Sequence, residues 1–169
     1  ETKHYAELQF RRAEIYYNLQ HYPFALKAYQ SVLSADNNEA YYLNSLYMSG
    51  WSLFKLNRLN ESDEQFMKVL SFITTSDMAK RTNEDTDKRA DFSFEQVSSS
   101  HKSLAADTQR VLSISLSQQE QANSLIALVT KQSQLENLKT FEHILFANLA
   151  EFLTSQNLEH DAMLAYQTY

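Results

Sequence analysis

Apolar residues return at three- and four-residue spacing from Tyr5 to Leu33. Leu8, Ala13, Tyr16, Tyr17 and Leu19 lead into Phe24, Ala25, Ala28, Tyr29, Val32 and Leu33. This is a helical period, interrupted once at Gln20-His21-Tyr22-Pro23. Proline suits a first helical turn, where its missing N–H has no partner to lose. The pattern therefore predicts a helix, a tight turn at His21 and a second helix from about Pro23, closed by the polar run Ser34–Asn38. The same pattern restarts over 39–73 with Tyr42, Leu46, Trp51 and Leu53, a break at Asn57–Asn60, then Phe66, Val69, Leu70 and Ile73. It returns over 141–169 with Ile144, Leu145, Leu149 and Leu153, a break at Gln156-Asn157, then Ala162 and Tyr166.

Laid over one another, the three pairs share a register. A small residue is followed by a bulky one three later, a second small residue twelve later and an aromatic four beyond that. The sets are Ala13/Tyr16/Ala25/Tyr29, Gly50/Leu53/Ser62/Phe66 and Ala150/Leu153/Ala162/Tyr166. Small residues let antiparallel helices approach where they cross, and large ones fill the groove between successive pairs. A generic helical bundle is the competing reading, and a register repeated three times across the same polar break favours repeats over it. Residues 5–36, 39–73 and 141–169 are read as repeats. Residues 74–103 form a polar, partly helical insertion in which only Met78, Phe92, Phe94 and Val97 are larger apolar residues. Residues 104–132 form a degenerate pair, with Leu104, Val111 and Leu112 on one helix and Leu125, Ile126 and Leu128 on the next. The whole chain, 1–169, is expected to be a single helical-repeat domain.

Composition narrows this further. One glycine (Gly50) and one proline (Pro23) stand in 169 residues, where average usage gives about 12 and about 8. Tight hairpins and phosphate-cradling loops need glycine at positive φ, so an all-α chain follows. The formal charge of −6 disfavours nucleic acid or an anionic membrane as partner, since both need clustered Lys and Arg. The absence of cysteine excludes disulfides and thiolate-bound metal. No apolar run reaches the length of a membrane span. The chain opens without Met and stops inside a helical pattern, so a fragment of a longer chain is expected.

Candidate chemistry is sparse, and no catalytic, cofactor or metal residues are assigned. His4, His21, His101, His143 and His160 fit no metal-ligand spacing. Asn83–Asp87 imitates the start of a calcium loop, but Lys88 stands where such a loop turns on glycine and Phe94 where it needs a bidentate glutamate. Glu61, Asp63 and Glu64 fall in a first helical turn, where negative charge offsets the helix dipole. No serine lies in a glycine-flanked nucleophile turn.

The small–bulky–small–aromatic register resembles tetratricopeptide repeats (TPR). It is closest in Ala13, Tyr16, Tyr22, Ala25 and Tyr29, and departs at Leu59, Ser62 and Glu159. The resemblance implies a right-handed α-solenoid whose inner groove is lined by the first helix of each pair. By that likeness the partner-binding groove candidates are Phe10, Glu14, Tyr17 and Asn18, then Tyr47, Trp51, Phe54 and Lys55, then Glu151. Packing between neighbouring helices is the competing explanation for Tyr47, Trp51 and Phe54. TPR domains that grip acidic chaperone tails carry Lys and Asn where this chain has Phe10 and Glu14, and Glu14 would repel such a tail. Phe10–Glu14, Gly50–Lys55 and Asp107–Ser115 also resemble segments of exported TPR proteins of Gram-negative bacteria. That likeness implies a periplasmic, non-catalytic scaffold that binds a protein or peptide partner, with TonB-type or other envelope machinery among the implied partners. The alternative is a cytoplasmic regulatory module that binds a peptide signal. A further alternative, an enzyme using 74–103 as a lid, has no constellation to support it.

Overall fold

The structure, a computed structural model, describes residues 4–81, 92–156 and 159–168. Among them it is all-helical, with no strand. The helices are α1 (Tyr5–Asn18), α2 (Tyr22–Leu33), α3 (Glu39–Lys55), α4 (Leu59–Arg81), α5 (Ser99–Ser117), α6 (Ala122–Lys131), α7 (Leu138–Ser155) and α8 (Glu159–Thr168), with a 3-10 turn at Phe94–Gln96. None of the described helices is long and apolar enough to cross a membrane. The chain divides into two compact units, Glu1–Val69 and Leu70–Tyr169, with the boundary inside α4.

In the first unit α1 packs on α2 and α2 on α3. The register read from the sequence is the register of the core: Ala13, Ala25, Tyr29 and Phe66 are completely buried, and Pro23 sits in the first turn of α2. Short side chains at Ala13, Ala25 and Ala28 bring α1 and α2 together, and Phe10, Tyr29 and Val32 fill the space beside them. At the α3–α4 crossing the Ser62 hydroxyl donates to the Gly50 carbonyl at 2.8 Å.

Two turns in this unit are copies of each other. After α1, the Gln20 N–H donates to the Tyr17 carbonyl (2.9 Å) and the His21 N–H to the Tyr16 carbonyl (2.9 Å). After α3, Asn57 N–H reaches Phe54 (3.0 Å) and Arg58 N–H reaches Leu53 (2.9 Å). Both are the paired 5→2 and 6→1 bonds of a Schellman ending, with a left-handed residue at the pivot. Gln20 has φ 60° and Asn57 φ 57°. The pivots lie 37 residues apart, the same interval that separates Ala25 from Ser62. Glycine is the usual residue there, and this chain meets the requirement with amide side chains.

In the second unit α7 and α8 form a close pair. Ala150, Leu153 and Ala162 are buried in it, but Tyr166 is 55% exposed. The fourth position of this set therefore does not fill a groove as Tyr29 and Phe66 do, because no described residue covers that face of α8. The arrangement of residues 104–132 also differs from the expected pair. Helix α5 begins earlier, at Ser99, and among α5–α8 it lies chiefly against α7 rather than α6, while α6 touches α7 and α8.

Within the polar stretch 74–103, residues 74–81 continue α4, stabilised at its end by the Asp77–Arg81 ion pair (2.6 Å). Residues 92–98 are held down by their few apolar side chains, Phe92, Phe94 and Val97, all buried. The calcium-loop imitation at 83–87 lies outside the described residues. The α6–α7 connection is pinned to α4: Ser71 Oγ donates to the Glu136 carbonyl (2.7 Å) and Asn137 Nδ2 to Thr75 Oγ1 (2.9 Å).

Candidate functional site

The groove candidates of the first unit separate into packing and surface residues. Phe10 is a core residue, 7% exposed, set edge-on to Tyr29 (6.0 Å between ring centres) and tilted against Tyr41 (5.1 Å). Its face of α1 is turned to α2 and α3, so it is not available as groove lining. Glu14 is half-buried and paired with Arg11 at 3.0 Å. Tyr17 is half-buried and edge-on to Tyr22 (5.3 Å). Burial, and secondarily the neighbouring Tyr22, raises its hydroxyl pKa. Asn18 and Lys55 are exposed.

Tyr47, Trp51 and Phe54 are brought together. Tyr47 and Trp51 each lie edge-on to Phe66 at 6.0 Å, and Trp51 is edge-on to Phe54 at 5.4 Å. All three are half-buried. They build the α3–α4 contact with one side and present the other to solvent, so packing accounts for much of their presence. Edge-to-face pairs of this kind add about 0.5–1.5 kcal/mol beyond area burial.

Glu151 belongs to the second unit, and it stands at a different kind of feature. Helices α5 and α7 leave a cleft of about 840 Å³ between them, closed at one end by the Phe94–Gln96 turn. Ala106, Gln109, Arg110 and Ser113 line the α5 wall, and Ile144, Asn148, Glu151, Phe152 and Ser155 the α7 wall. Those positions recur at three- and four-residue spacing, so one face of each helix meets the cleft. Phe92, Ser93, Phe94 and Glu95 form its end. Phe94 is fixed edge-on to Phe92 (5.0 Å) and Phe141 (5.9 Å), and the Arg81 guanidinium lies over the Phe92 ring at 5.8 Å. The turn is stiffened by the Glu95 N–H donating to Ser93 Oγ at 3.2 Å.

A side-chain bond joins the two walls. Asn148 Nδ2 donates to Gln109 Oε1 at 2.8 Å, while Gln109 Nε2 donates to the Ala105 carbonyl at 3.1 Å. Both bonds form only with the Gln109 amide in this orientation, because its nitrogen must face Ala105 and its oxygen Asn148. Arg110 on the same wall pairs with Asp107 at 2.5 Å. Chemically the cleft offers amide groups, ring and aliphatic surface, and two exposed carboxylates, Glu95 and Glu151. Its volume lies within the range of ligand clefts, roughly 300–1,000 Å³.

Of these lining residues the family resemblance implies Glu151 as a groove residue. Phe92 and Phe94 were visible as apolar residues in a polar stretch, which signals anchoring but not what is anchored. Gln109 and Asn148 carried no signal, since their meeting depends on α5 packing against α7. The sequence matches no family model, no curated protein and no solved structure.

Proposed function

We propose that this chain is a non-catalytic interaction module that holds a protein partner, gripping an extended segment of it in the α5–α7 cleft. The observation that carries this reading is the cleft itself: it has about 840 Å³, is walled by two helices, and is lined by amides, rings and carboxylates. Extended peptides suit such a trough, because their unpaired backbone groups need polar partners while alternate side chains seek apolar contact.

The finer reading is a TPR-like right-handed α-solenoid with an envelope, periplasmic role as a scaffold. Support for the repeat part comes from the 37-residue register of small residues and from the matched Schellman turns at Gln20 and Asn57. Support for the periplasmic part is the segment resemblance alone. In the first unit, Tyr47, Trp51 and Phe54 supply a second, aromatic contact surface for the partner.

Crosslinking decides the binding claim. A photoreactive side chain placed at Glu151 in the whole protein is expected to capture a partner, and one at the exposed Lys27 on α2 is not. Equal capture at both positions, or at neither, would sink the reading. Export of a reporter carrying the gene's own N-terminal segment tests the address separately.

A further inference from the structure

Resting on the peptide-holding reading above, we infer that the α5–α7 cleft selects a cationic segment, about five residues of extended chain carrying lysine or arginine.

The length follows from the walls. Lining positions on α7 run from Ile144 to Ser155, which at 1.5 Å per residue spans roughly 16 Å. An extended chain advances about 3.3 Å per residue, so about five residues fill the trough.

The charge preference follows from what is already paired. Arg110 is the basic residue of the lining, and its guanidinium is held to Asp107 at 2.5 Å. Glu95 and Glu151 are exposed at the cleft and have no ion-pair partner among the described residues. The trough therefore presents two negative charges that no described residue pairs, one at the turn and one on α7. A lysine or arginine side chain can set its charge against either carboxylate and lay its stem, or its guanidinium plane, on the half-buried Phe152 ring. An acidic segment meets like charge with Arg110 already engaged.

The test uses the whole protein and three degenerate pools of short labelled peptides, identical except that the variable charged positions carry Lys, Ser or Glu. Binding is read by fluorescence anisotropy, and its place by NMR shifts of the Asn148 and Gln109 side-chain amides. The Lys pool is expected to bind tightest and the Glu pool weakest. E95Q and E151Q are each expected to weaken the Lys pool about two- to fivefold, the scale of an exposed ion pair, and to leave the Ser pool unchanged. Added salt should shrink the Lys advantage. Both carboxylates are exposed, so circular dichroism of the two variants should match the parent. If the Ser or Glu pool shifts the amides as strongly as the Lys pool, charge selection is overturned while peptide holding stands. If no pool shifts them, both fall.

Discussion

The Phe66 ring lies against the backbone of Gly50 so closely that a side chain of any size at position 50 would collide with it. A Cβ built there stands 2.7 Å from Cε1 and 2.9 Å from both Cδ1 and Cζ. The chain's only glycine is thus placed by contact, not by a turn: it sits inside α3 with ordinary negative φ.

Gly50→Ala is therefore expected to destabilise the protein even though alanine is the better helix former. Helix propensity favours the substitution by about 1 kcal/mol. Overpacking costs about 1–3 kcal/mol, and the upper part of that range applies because Phe66 is fully buried and flanked by Tyr47 and Trp51. Urea denaturation should give a lower midpoint for Gly50→Ala. Adding Phe66→Leu should recover part of the difference, which an effect unrelated to the ring would not do.

How far the sequence carries is visible at this crossing. Gly50, Ser62 and Phe66 were legible as a set because helix contact repeats in chain order, and the same logic located Ala13, Ala25 and Tyr29. It failed where partners are set by tertiary geometry. Tyr166 keeps the spacing yet is exposed, since spacing cannot say whether anything covers a helix face. A repeat position does not record which way α1 is rotated, and Phe10 faces Tyr29 and Tyr41. The α5–α7 cleft was hidden for a related reason: Gln109 and Asn148 are 39 residues apart, and nothing local marks either.

Gln20 should be improvable. Its left-handed conformation costs an ordinary L residue roughly 1–2 kcal/mol, and glycine removes that strain while adding about 0.5–1 kcal/mol of unfolded-state entropy. Gln20→Gly is expected to stabilise by up to about 1 kcal/mol. Asn57→Gly should change little, because asparagine already tolerates this region, and Asn57→Ala should destabilise by about 1 kcal/mol. Thermal melts of the three variants check the order.

Tyr29 makes the protein sensitive to alkali. Its ring is fully buried in the first unit, and among the described residues its hydroxyl has no hydrogen-bond partner. Burial, then the nearby Glu14 and Tyr17, push its pKa well above the ordinary value of 10.0. The folded state thus holds the neutral phenol while the unfolded state ionises. Its contribution to stability is complete below pH 10 and is lost as pH rises from there toward the folded pKa. Tyr29→Phe removes the unpaired hydroxyl and should be neutral or stabilising at pH 7, by up to about 1 kcal/mol. It should also flatten the fall in stability above pH 10, followed by denaturant midpoints across that range.

The amide pair across the cleft predicts a coupling that neither helix could show alone. Asn148 and Gln109 sit on α7 and α5, and their 2.8 Å bond is half-buried. Its loss should cost about 0.5–1.5 kcal/mol. Gln109→Ala removes that bond and also the one to the Ala105 carbonyl, which still accepts within its helix, so the two single variants need not match. A double-mutant cycle isolates the shared term. The coupling energy of Asn148→Ala with Gln109→Ala is expected at about 0.5–1 kcal/mol, whereas Asn148→Ala with Gln20→Gly, a substitution in the other unit, should be additive. If the pair sets the spacing of the cleft walls, Asn148→Ala also weakens any ligand of the cleft beyond the loss of one contact. A coupling indistinguishable from zero would mean that the walls are spaced by Phe94, Ile144 and their apolar neighbours, with the amides as passengers.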